Sequence, residues 1–377
     1  MNCNEDPAER GDTLARIDVQ NFVFGRRTAF GQQIDLGARY SGGRSADIPC
    51  ARSGLVVLFS GELMRKFLFV FMALLAQTSL AQAKDDVVVV LDSGDARVTL
   101  INQDTRQPIG SFATGKEPHH LYPTPDGRSL IVANAVSDEL HYFDPVTGAL
   151  QKRVPGTQDP YQIGFSPDSH WFAVAALRLD RVDLYRHEPG GLQPARQIPL
   201  PKAPSHLWFS ADSATVFVTL QESDEVAAID VARGEVLWKL PTGRQPAGIV
   251  VTPDDRQLMV GAMGEDYVHV IDWRSRQTVA RIVTGKGAHN FRGLGDGRHL
   301  FVSNRVDNTI SIVDMPQLAV VGVIPVPGGP DCMDVTAAGR ELWVTTRWAK
   351  RVAVVDLAQR KVVRTIPVGR SPHGLYL

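Results

Sequence analysis

The sequence predicts an all-β fold, a seven-bladed β-propeller built from four-stranded antiparallel blades. Three observations carry this prediction. A repeat of 42 residues runs from residue 84 to the end, each repeat contains four apolar runs of strand length, and the two ends of the repeat region supply complementary parts of one repeat. Repeats of about 40 to 45 residues with four strands are typical of propeller blades.

The repeat is visible in two columns of equivalent residues. The first is a tetrapeptide that begins at residues 89, 131, 173, 217, 259, 301 and 343 and reads VVLD, IVAN, AVAA, FVTL, MVGA, FVSN and WVTT. The second column ends an alternating run and consists of Asn102, Asp144, Arg186, Asp230, Asp272, Asp314 and Asp356. Both columns advance by 42 residues, except for 44 across the third unit, whose two extra residues lie within 187–201.

The sixth unit shows how each repeat divides into strands. Its apolar runs are 289–294, 299–303, 309–313 and 319–326, and the turns GDG (295–297) and RVDN (305–308) separate the first three. Short apolar runs bounded by Gly, Asn and Asp are typical of β-strands. Residues 84–377 have no sustained helical periodicity, so we expect four strands in every unit.

The ends of the repeat region predict how the ring closes. The run 86–91 matches the second strand of a unit, whereas 372–377 matches a first strand. We therefore expect one blade to combine one C-terminal strand with three N-terminal strands, which gives seven blades. The alternative is an open solenoid, which would leave two sheet edges exposed.

Composition and charge exclude several classes of protein. The chain has 40 basic and 41 acidic residues, a formal net charge of −1, so its overall charge argues against a nucleic-acid binder. Three cysteines exclude a disulfide-rich scaffold. The sequence contains no Cys-x-x-Cys-His motif for a covalent c-type haem, no Gly-x-Ser-x-Gly motif and no Walker loop.

Residues 64–83, MRKFLFVFMALLAQTSLAQA, have the three parts of a secretory signal peptide. Two basic residues precede an apolar run of ten residues, 67–76, and a small-x-small cleavage site follows at 81–83. We interpret residues 1–63 as an upstream extension without a fold of its own and 84–377 as the mature propeller. The alternative is a cytoplasmic arm before a short anchor. The preferred interpretation predicts a periplasmic or secreted monomer that does not span the membrane after cleavage.

The segments LFVSNRVDNTISIVD (300–314) and VVRTIPVGRSPHGL (362–375) resemble the YVTN β-propeller repeat family. The resemblance covers about residues 85–377, with departures at Arg186 and at Ala288. Members of this family are similar to the propeller domains of nitrous oxide reductase and cytochrome cd1, and many are exported. The resemblance implies the fold; because the family is functionally diverse, it implies little about chemistry.

The residues that follow a proline column at the start of each unit, here called the junction positions, are rich in histidine. The first junction positions are His119, Tyr161, Ser205, Ala247, His289, Asp331 and His373, and the second are His120, Gln162, His206, Gly248, Asn290, Cys332 and Gly374. These 14 positions contain five of the ten histidines of the chain.

Four junction residues fall on consecutive blades of a closed ring, and they predict a transition-metal site for Cu, Fe or Zn. They are His119, His289, Asp331 and His373, with Cys332 as a soft ligand nearby. Resemblance to nitrous oxide reductase, which binds copper through propeller histidines, is consistent with this hypothesis. The alternative is that these histidines are structural and bond to the backbone.

Basic residues at the same end of the ring predict a site for an anionic ligand. The candidates are Lys116, Arg178, Lys286, Arg305 and Arg347. Trp348 lies next to two of the arginines of this region and could stack on an aromatic ligand. The alternative is that these charges are only solvated.

Three functions are compatible with the sequence. The first is an exported, non-enzymatic propeller that binds a protein, a peptide or a small anionic ligand at the mouth of the channel. The second is a metal- or tetrapyrrole-binding propeller in redox chemistry or cofactor handling. The third is a lactonase-type hydrolase in which Asn134, Asn304 and Asp331 would bind a divalent cation.

Overall fold

The computed structural model describes residues 87–377. The predicted upstream extension, 1–63, and the predicted signal peptide, 64–83, lie outside the described residues. Within the described range there are 28 strands and one short 3-10 helix, Ser93–Asp95. No helix in this range is long and apolar enough to cross a membrane.

The strands form seven four-stranded antiparallel sheets, so the predicted seven-bladed propeller is confirmed. From the channel outwards, the strands of each blade are as follows. Blade 1 contains β28 (Pro372–Tyr376), β1 (Val87–Asp92), β2 (Arg97–Asn102) and β3 (Gln107–Ala113); blade 2 contains β4 (Pro118–Pro123), β5 (Leu130–Asn134), β6 (Glu139–Phe143) and β7 (Leu150–Pro155); blade 3 contains β8 (Pro160–Phe165), β9 (Trp171–Ala176), β10 (Arg181–Glu188) and β11 (Gly191–Pro199); blade 4 contains β12 (Pro204–Phe209), β13 (Thr215–Leu220), β14 (Glu225–Asp230) and β15 (Glu235–Pro241); blade 5 contains β16 (Pro246–Val251), β17 (Gln257–Ala262), β18 (Tyr267–Asp272) and β19 (Gln277–Val283); blade 6 contains β20 (Ala288–Gly293), β21 (His299–Asn304), β22 (Thr309–Asp314) and β23 (Ala319–Pro325); blade 7 contains β24 (Pro330–Val335), β25 (Glu341–Thr346), β26 (Arg351–Asp356) and β27 (Lys361–Pro367).

The ring closes as the sequence predicts. Strand β28 pairs antiparallel with β1, with Leu375 opposite Val90. The carboxylate of Asp92 accepts a hydrogen bond of 2.8 Å from the backbone N–H of Gly369. The two ends of the described range are therefore joined within one blade, which removes the open edges that a solenoid would have.

The core lies between blades and is apolar because the second and third strands bury both of their faces. Strands β5, β9 and β13 are buried along their whole length, whereas outer strands such as β3 are exposed. One core cluster joins Val182 and Leu184 of blade 3 to Val216 and Val218 of blade 4. The two extra residues of the third unit lengthen the β10–β11 hairpin, away from the channel.

The seven inner strands contact one another around the complete ring and surround the central channel. Pro118, which begins β4, pairs with Asn134, which ends β5. The loops before the inner strands and the loops after the second strands therefore lie at one end of the propeller, here called the channel mouth. Backbone hydrogen bonds of 2.9 Å join these loops, from Arg305 to Gly287 and from Arg347 to Gly329.

Candidate metal centre in the channel

A β-bulge near the start of each inner strand sets the direction of the junction residues. In blade 2, Pro118 pairs with Asn134 and Leu121 pairs with Val132, so two residues, His119 and His120, lie opposite one residue of β5. The same shift in register occurs in all seven blades. Alternation along a regular strand would send adjacent side chains to opposite faces, and a bulge relaxes this constraint.

Hydroxyl groups of the second strands stabilise three of these bulges. Thr219, Ser303 and Thr345 occupy the third position of the repeated tetrapeptide. Their oxygens accept hydrogen bonds of 3.0 to 3.1 Å from the backbone N–H groups at the second junction positions of blades 4, 6 and 7. The Thr345 hydroxyl also donates to the backbone carbonyl of His373, at 2.8 Å, and so links blade 7 to blade 1.

The five junction histidines converge in the channel. The rings of His119 and His373 stack with their centroids 3.8 Å apart, and the centroids of His120 and His373 are 4.8 Å apart. His206 is next to His120, at 5.2 Å, and next to His289, at 5.5 Å. All five side chains are buried.

Tyr161 extends the ring stack on the other side of His119. Their ring centroids are 3.9 Å apart, with an angle of 31° between the ring planes. Burial raises the pKa of Tyr161 to about 12, so its phenol is protonated at neutral pH. Rings from blades 1, 2 and 3 are thus stacked in series.

Burial keeps the five imidazoles neutral. It is the largest cause that lowers the pKa of each of them, and it brings the pKa of His373 to about 3. A neutral imidazole carries one N–H and one nitrogen lone pair, and it is the form that binds metals.

Several ring nitrogens in the cluster have no hydrogen-bond partner among the described residues. The buried nitrogens without one include His119 Nδ1, His120 Nε2, His206 Nε2 and His373 Nε2. The Nδ1 atom of His373 lies 2.7 Å from the carbonyl oxygen of His119 and so carries the hydrogen, which leaves the lone pair on Nε2. Burying such atoms costs free energy unless a ligand donates a hydrogen bond to them or a metal ion binds them.

Two groups of side chains have a metal-binding arrangement. One ligand atom from each of His119, His120 and His373 lies within 4.8 Å of the others. The same holds for Asp331, Cys332 and His373. Burial, first, and the charge of Asp331 raise the pKa of the Cys332 thiol, so without an ion this sulfur is protonated. His373 belongs to both groups.

Asp331 is fully buried and lies at the centre of an ionic cluster. Its Oδ2 atom is 2.7 Å from Arg305 Nη2 and 3.5 Å from Arg347 Nη1. The same oxygen is 3.6 Å from His373 Nε2. Burial disfavours the ionised form of Asp331, but the adjacent guanidinium group of Arg305 outweighs this effect and holds the pKa of Asp331 well below its usual range.

The four residues predicted to bind a metal lie next to one another in the channel but differ in their hydrogen-bond partners. His119 and His373 lie together with unpartnered nitrogens. Both nitrogens of His289 face other groups: Arg305 donates to Nε2 at 2.9 Å, and Nδ1 is 3.1 Å from Asp331 Oδ1, an ion-pair distance without the angles of a regular hydrogen bond. Asp331 is likewise engaged by arginine.

The sequence prediction omitted His120 and His206 from the metal site. Both occupy second junction positions, where regular alternation would turn them away from the channel. The bulge is not visible in the sequence, although the enrichment of histidine in both junction columns was a signal that both columns face the same space.

The residues predicted to bind an anionic ligand divide into three groups. Arg305 and Arg347 point to Asp331 within the mouth. Arg178 forms ion pairs with Asp159 at 2.6 Å and with Glu117 at 3.0 Å. The remaining candidates, Lys116, Lys286 and Trp348, are exposed at the mouth.

The asparagines considered for a lactonase site bond within their own blades. The amide nitrogen of Asn304 donates to the hydroxyls of Thr309 and Ser311 at 3.0 and 2.9 Å. The amide nitrogen of Asn134 is 3.4 Å from the carbonyl oxygen of Glu139. The amide nitrogens therefore join second and third strands, whereas the Oδ1 atoms, which would be the cation ligands, are buried without a hydrogen-bond partner among the described residues.

Several solved structures share the fold. Hydrazine synthase of Kuenenia stuttgartiensis is 20% identical with a TM-score of 0.63, covering 73% of this chain and 93% of that one. The dihydro-heme d1 dehydrogenase NirN, in complex with DHE, is 16% identical with a TM-score of 0.59, covering 79% and 76%. A protein of Bacteroides uniformis proposed to be a 6-phosphogluconolactonase is 18% identical with a TM-score of 0.62, covering 77% and 99%.

No curated protein matches the chain in sequence. The family described as YNCE-like beta-propeller matches residues 64–377, which is most of the sequence. The match agrees with the 42-residue repeat and the closed ring of blades. It also agrees with the resemblance of the segments 300–314 and 362–375 to a family of β-propeller repeats. The chain therefore belongs to the YNCE-like β-propeller family.

Proposed function

We propose that the protein is an exported propeller that binds a transition metal ion in its central channel through His119, His120 and His373. One observation carries the proposal: these three buried, neutral imidazoles lie within 4.8 Å of one another, and each has a nitrogen without a hydrogen-bond partner. Export rests on the signal-peptide pattern of residues 64–83.

The energetics favour a ligand over a purely structural cluster. A buried polar atom without a partner costs about 1 to 3 kcal/mol. A structural role would explain His373 Nδ1, which bonds to the backbone. It would not explain why His119, His120 and His373 each bury a nitrogen that has no partner within residues 87–377. Imidazole nitrogens suit Zn, Cu and Fe, and a bound ion would satisfy all three lone pairs at once.

Cys332 offers a softer donor in the second group, which it forms with Asp331 and His373. Its sulfur is 3.6 Å from His373 Nδ1 and 3.1 Å from the amide nitrogen of Asn290. Binding of an ion to this sulfur would release the thiol proton, because the thiolate is the metal ligand. A mixed set of imidazole and sulfur donors favours Cu(I) or Zn over hard ions such as Mg²⁺.

Binding requires a local change in the ring stack. The planes of His119 and His373 are stacked with an angle of only 32° between them. Two nearly parallel rings cannot both direct an in-plane lone pair at one ion, so one ring must turn about its side-chain torsions. We expect the ion to displace the stack between His119 and Tyr161 or between His119 and His373.

Elemental analysis of the purified full chain tests this proposal, both as isolated and after incubation with Zn²⁺ or with Cu²⁺ under reducing conditions. We expect about one ion per chain, lost in His120→Gln and His373→Gln. His269→Gln is the matched control. The His269 side chain is also buried, but it lies in β18, where its Nε2 atom is 3.0 Å from the hydroxyl of Thr278. A wild-type protein that stays metal-free after incubation, or variants that retain the ion, would refute the proposal.

Two spectra refine the result. In Co²⁺-loaded protein, a sulfur-to-cobalt charge-transfer band that disappears in Cys332→Ser would assign the sulfur as a ligand. Visible absorption of the protein as isolated distinguishes a bare metal ion from a tetrapyrrole, the class of compound to which the dihydro-heme d1 of NirN belongs. If a tetrapyrrole spectrum is seen and persists in His120→Gln, the three-histidine metal site is wrong and the protein is a tetrapyrrole-binding propeller.

A further inference from the structure

We infer that Arg305 and Arg347 form a binding site for a small anion, a carboxylate or an oxyanion, at the channel mouth. The two arginines belong to the loops that follow β21 and β25, in the adjacent blades 6 and 7. Both guanidinium groups approach the same oxygen, Asp331 Oδ2. The inference goes beyond the proposed metal site and does not depend on it.

The charge around this site is unbalanced. Two guanidinium groups, those of Arg305 and Arg347, contact the single carboxylate of Asp331. A partly buried positive charge without a counter-charge is unfavourable, and a bound anion would remove this cost. The carboxylate of Asp331 already occupies the inner side of the site.

Hydrogen-bond donors remain free on Arg305. A guanidinium has five N–H groups. The buried Nε of Arg305 has no partner among the described residues. Its Nη1 donates to a weak acceptor, the Sδ atom of Met263, at 3.8 Å. Among the described residues, the guanidinium group of Arg347 has one hydrogen-bond contact, the long 3.5 Å approach to Asp331.

The two arginines are partly exposed to solvent, and the carboxylate that they contact is not. The side chains of Arg305 and Arg347 are 16% and 27% exposed, whereas Asp331 beneath them is fully buried. The junction rings fill the channel below, so the ligand must be small. Two planar guanidinium forks favour a carboxylate or a phosphate over a spherical halide.

Arg178 shows what a saturated arginine looks like at the same mouth. It lies between two carboxylates, those of Asp159 and Glu117, and its charge is compensated. It therefore has no electrostatic reason to bind a further anion. This contrast makes Arg178 the matched control for Arg347.

Isothermal titration of the full chain, freed of metal with a chelator, tests the inference with inorganic phosphate and with malonate at constant ionic strength. We expect saturable binding that weakens about tenfold or more in Arg347→Lys, because lysine keeps the charge and loses the fork. Asp331→Asn removes the competing carboxylate and should tighten binding about tenfold. Arg178→Lys should leave the affinity unchanged.

Absence of saturable binding in both wild type and Asp331→Asn would overturn the inference, as would equal affinities for wild type and Arg347→Lys. Arg305→Lys provides a second variant if Arg347→Lys does not fold. Because the titration uses metal-free protein, anion binding without any metal binding would refute the proposed function alone. Metal binding without anion binding would refute this inference alone.

Discussion

The ring nitrogen Nδ1 of His373 lies 2.7 Å from the backbone carbonyl oxygen of His119, the second residue of the inner strand of blade 2. This contact ties the last strand of the chain to blade 2 and fixes the tautomer of His373, since Nδ1 must donate. The Nε2 lone pair then lies on the side of Asp331, whose Oδ2 is 3.6 Å away. Closure of the ring and assembly of the candidate site therefore depend on the same strand.

The Thr345 hydroxyl supports this arrangement from blade 7. It accepts from the backbone N–H of Cys332 at 3.1 Å and donates to the carbonyl of His373 at 2.8 Å. Thr345→Val keeps the shape of the side chain and leaves two buried backbone groups without these bonds. We expect the free energy of unfolding in urea to fall by about 1 to 3 kcal/mol, with weaker metal binding.

The control for this substitution is Thr365→Val, at an exposed position of the outer strand β27. It should change the urea midpoint little, because surface substitutions are usually worth less than about 0.5 kcal/mol. Equal midpoints for Thr345→Val and Thr365→Val would show that the hydroxyl does not stabilise the junction.

Gly248 is a junction residue at which no side chain fits. A Cβ atom there would lie 2.3 Å from the carbonyl oxygen of His289, a backbone atom of the next blade. We expect Gly248→Ala to separate blades 5 and 6, to lower the free energy of unfolding by more than about 2 kcal/mol and to move His289. Thermal melting and urea unfolding measure this loss.

Gly110→Ala is the matched comparison, because nothing lies within 4 Å of a Cβ atom at this exposed position of β3. The alanine should be neutral or slightly stabilising there. If both alanine variants unfold alike, the close approach of blades 5 and 6 is not required.

The fold is predictable from the sequence because each blade is a local unit that repeats with a fixed spacing. The tetrapeptide column specifies the buried second strand, and the positions of strands 86–91 and 372–377 specify closure without any knowledge of side-chain packing. Both inferences use order along the chain, which a ring of blades preserves in space.

The candidate site is less predictable because side-chain direction depends on the bulges. His289 and His373 occupy equivalent positions in the sequence, yet Arg305 donates to Nε2 of His289 and leaves Nε2 of His373 unpartnered. Arg305 is 16 residues away from His289 along the chain and enters from another loop. Neither the bulge nor this contact has a signature in a single sequence.

The buried histidines predict a specific dependence of stability on pH. In the unfolded chain each histidine is protonated below about pH 6.5. In the folded chain burial lowers the pKa values, to about 3 for His373, so the unfolded state binds more protons between these limits. Unfolding free energy should therefore fall as the pH drops below about 6.5, by roughly 1.4 kcal/mol per pH unit for each such histidine.

Urea unfolding of metal-free protein at pH 7.5, 6.0 and 5.0 measures this slope. His373→Gln should reduce the slope of unfolding free energy against pH by the contribution of one buried histidine. His170→Gln, at a side chain that is 73% exposed, should leave the slope unchanged. The depressed pKa of Asp331 affects stability in a lower pH range. The stability that it contributes is lost only below the pKa of an unfolded aspartate, near 3.9. A stability that is flat from pH 7.5 to 5.0 would contradict neutral burial of the cluster.

Removal of Pro372–Leu377 tests whether closure and the site share one strand. Without β28, strand β1 becomes the inner edge of blade 1, and its N–H and C=O groups lose the partners that Leu375 and Tyr376 supply. We expect a truncated chain that aggregates or melts well below the wild type and binds no metal. His373→Gln keeps the strand and removes only the imidazole, so it should elute like the wild type in size-exclusion chromatography while it loses the ion. A truncated chain with the elution volume and the melting temperature of the wild type would show that the other six blades and strands β1 to β3 are sufficient for the fold.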